Sequence, residues 1–281
     1  MTELLKGAPV ATAITEQLAA RTQELKNKGI TPTLAILRVG ANESDLAYER
    51  GAMKRCEKVG IEVKQILIAE DTTTEEVISA ISAINNDSSI HGCLMFRPLP
   101  KHLNEALICE ALDPAKDVDA MTSASLVHVF TGKGAGFNPC TAQSCVEILD
   151  YYGYELTGKN VAVIGRSLVI GKPVSMMLQA KNATVTMCHT KTVDTASICS
   201  KAEILVVAAG RAKIVNEAYT NPNQVIVDVG INVDAEGNMC GDVDFANVEG
   251  KCAAITPVPG GVGSVTTAVL CKHLIEAAER Q

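Results

Sequence analysis

The sequence predicts an α/β protein of two domains, each built on a parallel sheet, and three observations carry that reading. Short apolar runs of strand length alternate with longer amphipathic stretches along most of the 281 residues. The alternation breaks once, at the Gly- and Pro-rich segment 131–141 (TGKGAGFNPCT). The length is about that of two ordinary domains.

Before the break, TLAILRV (33–39), EVKQILI (62–68) and IHGCLMF (90–96) read as short buried strands. SDLAYERGAMKRCEKVG (44–60) and TTEEVISAISAINND (73–87) lie between them and read as crossover helices of a three-layer α/β domain. A helix, AQSCVEILDYYG (142–153), follows the break. Strand NVAVIG (160–165), helix GKPVSMMLQAK (171–181) and strand ATVTMCH (183–189) come next. Helix TVDTASICSK (192–201) and strands EILVVAAG (203–210) and NQVIVDVGIN (223–232) complete a doubly wound pattern suited to a nucleotide. The last helix, GSVTTAVLCKHLIEAAER (263–280), follows the sheet and is expected to pack back on the first domain. The predicted domains are therefore 1–141 with 263–281, and 142–262.

Composition narrows the function classes. With 47% hydrophobic and 20% charged residues the chain is too apolar for disorder. A net charge of −7, 3% aromatic residues and no Trp argue against nucleic acid and anionic membranes as partners. The longest apolar runs, VAVIG (161–165) and ILVVAAG (204–210), fall short of the roughly 20 residues that span a bilayer. The start, MTELLKGAPVATAITEQL, has no long apolar core, so no secretory signal is expected. None of the ten cysteines forms a C-x-x-C pair, so no metal site is predicted. Most lie in apolar stretches and read as reduced, buried thiols of a cytoplasmic enzyme.

One loop carries a chemical signal. Gly165 closes a strand, Gly171 opens the next helix, and Pro173 is tolerated in that helix's first turn. First-turn amides at such a junction are expected to face a pyrophosphate. The spacing is G-x5-G rather than G-x-G-x-x-G. His189-Thr190-Lys191-Thr192 stands where a dinucleotide fold usually places an acid for the ribose hydroxyls. Arg166 and Lys191 are instead expected to neutralise a 2′-phosphate, favouring NADP over NAD.

VIGRSLVIGKP (163–173), DVGIN (228–232), GDVDF (241–245) and ITPVPGGVG (255–263), in that order, resemble the methylenetetrahydrofolate dehydrogenase/cyclohydrolase family. KDVD (116–119), NPCT (138–141), RPLP (97–100) and the helix of Tyr48 extend the likeness over nearly the whole chain. The resemblance implies a homodimer whose second domain is a Rossmann-type parallel sheet. It implies oxidation of 5,10-methylenetetrahydrofolate with NADP or NAD, often followed by hydrolysis of the methenyl product to 10-formyltetrahydrofolate. On it, Tyr48 and Asp119 are the catalytic and folate-binding residues, joined by Pro259, Gly260 and Gly261. Gly165, Arg166, Ser167, Gly171, His189, Thr190, Lys191, Gly210 and Ile231 are the cofactor-binding set. Asp119 would grip the N–H groups of the pterin through paired, charge-assisted bonds.

The departures cluster on the folate side. The family lysine, four residues after the tyrosine, is Ala52, and the glutamine before the L-P-L-P-like segment is Phe96. The glycine of DVDG is Ala120, the last proline of PCTP is Ala142, and Ser264-Val265 replaces proline-methionine. Lys54 falls about 120° from the Tyr48 face, and Arg55, nearly in line, lies about 10 Å further along the axis. Arginine is also a poor general base. Hydride transfer needs chiefly positioning, whereas hydrolysis needs managed protons. The expectation is a dehydrogenase with weak or absent cyclohydrolase activity. A fully bifunctional enzyme and a non-catalytic nucleotide-binding protein are the alternatives.

Overall fold

The computed structural model describes residues 2–281. The chain forms two compact units, one of residues up to Ala11 with Thr141–Thr266, the other of Thr12–Cys140 with Thr267–Gln281. In chain order the elements are β1 (Glu3–Leu4), α1 (Gly7–Asn27), β2 (Thr33–Val39), α2 (Glu43–Val59), β3 (Glu62–Ile68), α3 (Thr74–Asn86), β4 (Gly92–Met95), α4 (Glu105–Glu110), α5 (Ser123–Thr131) and α6 (Cys140–Tyr151). There follow β5 (Asn160–Ile164), α7 (Gly171–Ala180), β6 (Thr184–Cys188), α8 (Thr195–Cys199), β7 (Ile204–Val207), β8 (Val225–Asp228), β9 (Asn232–Val233), β10 (Met239–Cys240), α9 (Phe245–Val248), β11 (Ala254–Ile255) and α10 (Thr266–Arg280).

In the unit containing Thr12–Cys140, three parallel strands run in the order β3-β2-β4. Every residue of the central strand β2 is buried, as a parallel strand covered on both faces requires, Thr33 and Arg38 included. Ala35, Leu37 and Val39 face one way, with Cys93 and Met95 of β4, onto Val77, Ile81 and Ile84 of α3 and Ile108 of α4. On the opposite face Arg38 meets Glu49 of α2, and Cys56 of α2 lies 3.9 Å, sulfur to sulfur, from Cys271 of α10. The expected helix–sheet–helix layering follows, with the last helix in this unit. Thr73 and Glu76 form a reciprocal capping box that starts α3. Asn42 caps α2, and Gly60 ends it in the left-handed region at φ +85°.

The other unit holds six parallel strands in the order β1-β11-β8-β7-β5-β6. The chain leaves β5 for β6 on one side and returns to β7 on the other. The ends of β5 and β7 therefore form the switch point at which such sheets bind ligands. β1 and β11, of two residues each, carry no periodic signal; pairing places them, with Glu3↔Ala254 and Leu4↔Ile255 in register. β9 and β10 form a separate antiparallel hairpin. All ten cysteines are free thiols, nine of them buried. No helix among the described residues is long and apolar enough to cross a membrane.

Candidate active site

Tyr48 sits in the second turn of α2 and is 36% exposed. Phe96, just past β4, packs edge-on against it, with ring centroids 6.0 Å apart and planes at 81°. Ala52, one turn beyond Tyr48, is wholly buried. Arg55 is committed to α1 through Thr15, its Nη1 donating to the hydroxyl at 2.8 Å, and Lys54 is exposed.

Asp117 and Asp119 divide their tasks by the alternation of the chain. Asp117 is wholly buried and accepts from the amides of Met121 (2.9 Å) and Thr122 (2.8 Å) and the hydroxyls of Thr122 (2.8 Å) and Ser125 (2.6 Å). It builds the turn that opens α5. Asp119, half-buried, accepts the amide of Cys140 at 2.9 Å. Burial pushes its carboxyl above the ordinary aspartate range, partly offset by that amide, by the Cys140 thiol and by the charge of Arg97. The carbonyl of Val118, between the two acids, takes His273 Nδ1 at 2.9 Å and the Cys140 thiol at 3.4 Å.

In the other unit, Gly165, Arg166, Ser167, His189 and Thr190 line one cavity of about 510 Å³ at the β5–β7 switch point. Arg211, Ile214 and Tyr219 complete its wall; sequence reasoning missed them, although a cation directly after an apolar strand in AAGR was a usable signal. Lys191 lies in the exposed turn beside the cavity, its amide donating to His189 Nδ1 at 3.2 Å. Gly165 has φ +130°, and any Cβ there would collide with the Ala208 carbonyl. A Cβ on Gly171 would collide with the carbonyl of Gly165. The two glycines let the loop close on the strand end.

One expectation needs correction. Ser167 already engages the first-turn amides of α7: its hydroxyl accepts from Ile170 (3.1 Å) and Gly171 (3.4 Å), and its carbonyl from Lys172 (3.0 Å). These amides do not wait for a pyrophosphate, because the loop's own serine satisfies them. Arg166, Arg211 and the Ser167 hydroxyl are the side chains in this cavity able to meet an anion.

Residues 5–119 match the catalytic domain described as tetrahydrofolate dehydrogenase/cyclohydrolase, and residues 139–281 match the NAD(P)-binding domain of the same description. The chain belongs to the tetrahydrofolate dehydrogenase/cyclohydrolase family. It is 52% identical over 280 residues to the bifunctional protein FolD of Clostridium botulinum strain Okra, covering 100% of this chain and 99% of that protein. The FolD of Clostridioides difficile strain 630 is 49% identical over 279 residues, covering 99% and 97%. The structure of the FolD dehydrogenase/cyclohydrolase from Campylobacter jejuni superimposes with a TM-score of 0.96 at 36% identity, covering 100% and 99%. That of the Trypanosoma brucei enzyme, complexed with NADP cofactor and inhibitor, gives 0.92 at 29% identity, covering 99% and 98%.

The family's NAD(P)-binding domain thus holds the glycine cradle and the cavity with Arg166 and Arg211. Its volume is that of an ordinary ligand site, and its cations suit a phosphate. Ile231 lies instead at a second cavity of about 290 Å³, with Pro259, Gly260, Gly261 and Met239. Gly210, at φ +65°, stands beside Arg211 and donates to Asp242 at 2.9 Å.

Proposed function

We propose that this family member oxidises 5,10-methylenetetrahydrofolate to 5,10-methenyltetrahydrofolate with NADP, and that its cyclohydrolase activity is weak or absent. The observation that carries the division lies on α2: Tyr48 stays accessible while Ala52, one turn on, is wholly buried and has no group to move a proton. The folate-binding part is the unit of Thr12–Cys140 with Thr267–Gln281, and the dinucleotide part is the unit of residues up to Ala11 with Thr141–Thr266, so the first strand falls on the dinucleotide side of the expected boundary.

When bound, NADP supplies the nicotinamide carbon that accepts the hydride. Arg166, with Lys191 at the rim, neutralises its 2′-phosphate, and Gly165 and Gly171 let the backbone approach. Ile231 and Gly210 border the remaining length of the dinucleotide, with His189 and Thr190 at the ribose end. Asp119 accepts from the pterin N–H groups and fixes the ring, while Pro259, Gly260 and Gly261 border the folate. Tyr48, steadied by the Phe96 edge, orients the one-carbon unit. The rate then comes from placement rather than proton traffic.

The same reading makes the protein a cytoplasmic homodimer acting on tetrahydrofolate one-carbon derivatives. Its family membership and ten free thiols support this. The name "bifunctional" of the 52% identical relative favours a second reading, in which hydrolysis persists. Two assays decide. Methylenetetrahydrofolate with NADP should yield reduced-nicotinamide absorbance, and methenyltetrahydrofolate should decay no faster with protein than in buffer. Fast decay would establish the bifunctional enzyme; no reduction of NADP or NAD would leave a nucleotide-binding module. Light scattering after gel filtration should report twice the chain mass.

A further inference from the structure

The one charged side chain buried by α2 is Glu49, next to Tyr48; the others it buries are Ala52, Cys56 and Val59. Glu49 is 3% exposed and Arg38 of β2 is 8% exposed. Arg38 Nε donates to Glu49 Oε2 at 2.9 Å. The second carboxylate oxygen accepts from Gln65 of β3, and Arg38 Nη1 donates to the carbonyl of Gly40 in the turn that leads into α2. Four segments (β2, the turn after it, α2 and β3) are thereby joined through one carboxylate and one guanidinium. Arg38 is the penultimate residue of β2, at the carboxyl end of the parallel strands.

Stability alone does not account for such a pair, since well-packed apolar residues of similar volume commonly serve as well or better. Directional bonds do what apolar contacts cannot. Ala52, Cys56 and Val59 hold α2 against its neighbours, but apolar burial is non-directional and leaves rotation about the helix axis weakly defined. Glu49, held on both oxygens, defines it. Tyr48 is about 100° around the helix from Glu49 and about 1.5 Å along it. At roughly 6 Å from the axis, a 10° rotation of α2 displaces a side-chain group by about 1 Å, and a misplacement of that size costs up to about 100-fold in rate.

We propose that Arg38, Glu49 and Gln65 are positioning residues that set the rotation of α2 and so aim Tyr48 at the substrate; the inference rests on the reading of Tyr48 given above. The test uses the full chain and compares thermal unfolding, kcat, and KM for NADP and methylenetetrahydrofolate. The apolar double variant Arg38→Met/Glu49→Leu should stay folded and keep the NADP KM, while kcat falls about tenfold or more. Glu49→Asp, which keeps the charge but shortens its reach, should lose about threefold in kcat with the NADP KM unchanged. A folded double variant with kcat within twofold of the parent overturns the proposal. Should the double variant not fold, Glu49→Asp decides in the same way: parental kcat overturns the proposal, and reduced kcat at constant NADP KM supports it. Tyr48→Phe is run beside them. Parental kcat in that variant removes the role of Tyr48 itself, a failure distinct from that of the ion pair.

Discussion

The backbone amide of Asp242 donates to Oδ1 of Asp228 at 3.1 Å, which links the two buried carboxylates that organise the strand ends of the nucleotide unit. Asp228 also accepts the amides of Gly230 (3.0 Å) and Val243 (2.9 Å). Asp242 accepts those of Ala209 (2.6 Å), Gly210 (2.9 Å) and Arg211 (2.8 Å), with the Asn232 side chain at 2.9 Å. The loop bearing Arg211 is therefore shaped by a residue 31 positions further along the chain.

Asp242→Asn puts an NH2 group against amide donors that now meet an oxygen. Leaving a buried donor unsatisfied costs about 1–3 kcal/mol, and the loop beside the cofactor cavity should loosen. Initial rates should show KM for NADP raised about fivefold or more, with kcat within about threefold of the parent.

Asp228 makes stability depend on pH. Burial outweighs its three amide bonds and raises its carboxyl from 3.8 to about 6. Between about pH 4 and pH 6 the folded state therefore binds more protons than the unfolded state, so this group's contribution to stability falls as pH rises through that window. At roughly 1.4 kcal/mol per pH unit, the total is about 3 kcal/mol. Urea unfolding at pH 4, 5, 6 and 7 should show the parent losing stability relative to Asp228→Asn across the window and not above it.

Ala120 occupies the left-handed region at φ +55°, where the family pattern has glycine. A Cβ in that conformation costs about 1–2 kcal/mol, part of which glycine's extra freedom in the unfolded chain returns. Ala120→Gly should therefore raise the melting temperature by about 1–3 °C, leaving the Asp119–Cys140 bond in place. A lower melting temperature would show that the turn is not strained.

Arg166 lines the cofactor cavity, whereas Lys191 stands in the turn at its rim. A charge-assisted bond to a phosphate contributes about 1.5–3 kcal/mol, equivalent to about 10–100-fold in affinity. Arg166→Ala should raise KM for NADP by that factor and KM for NAD by less than threefold. Lys191→Ala should give the same selectivity at a smaller size. Equal losses for both cofactors would assign these cations to the pyrophosphate.

Much of the architecture is legible in the residues themselves. The strand-length, apolar-rich runs at 33–39 and 160–165, the break at 131–141 and the glycines at 165 and 171 all report local backbone requirements, and local requirements leave periodic or positional traces. The cavity at the β5–β7 switch point follows from that pattern, as does the grouping of Gly165, Arg166, Ser167, His189 and Thr190. Two-residue strands such as β1 and β11 leave no such trace, because pairing across some 250 residues defines them.

The rest of the site belongs to the tertiary structure. Asp242 shapes the loop of Arg211, and Arg38 meets Glu49 only once β2, α2 and β3 are assembled. Nothing in the spacing of these residues foretells those bonds. The sequence by itself determined the fold class, the family and the glycine cradle, since these depend on patterns a short segment expresses alone. Folding decided which carboxylates became buried anchors and which stayed accessible, because desolvation and hydrogen-bond partners exist only where distant segments meet.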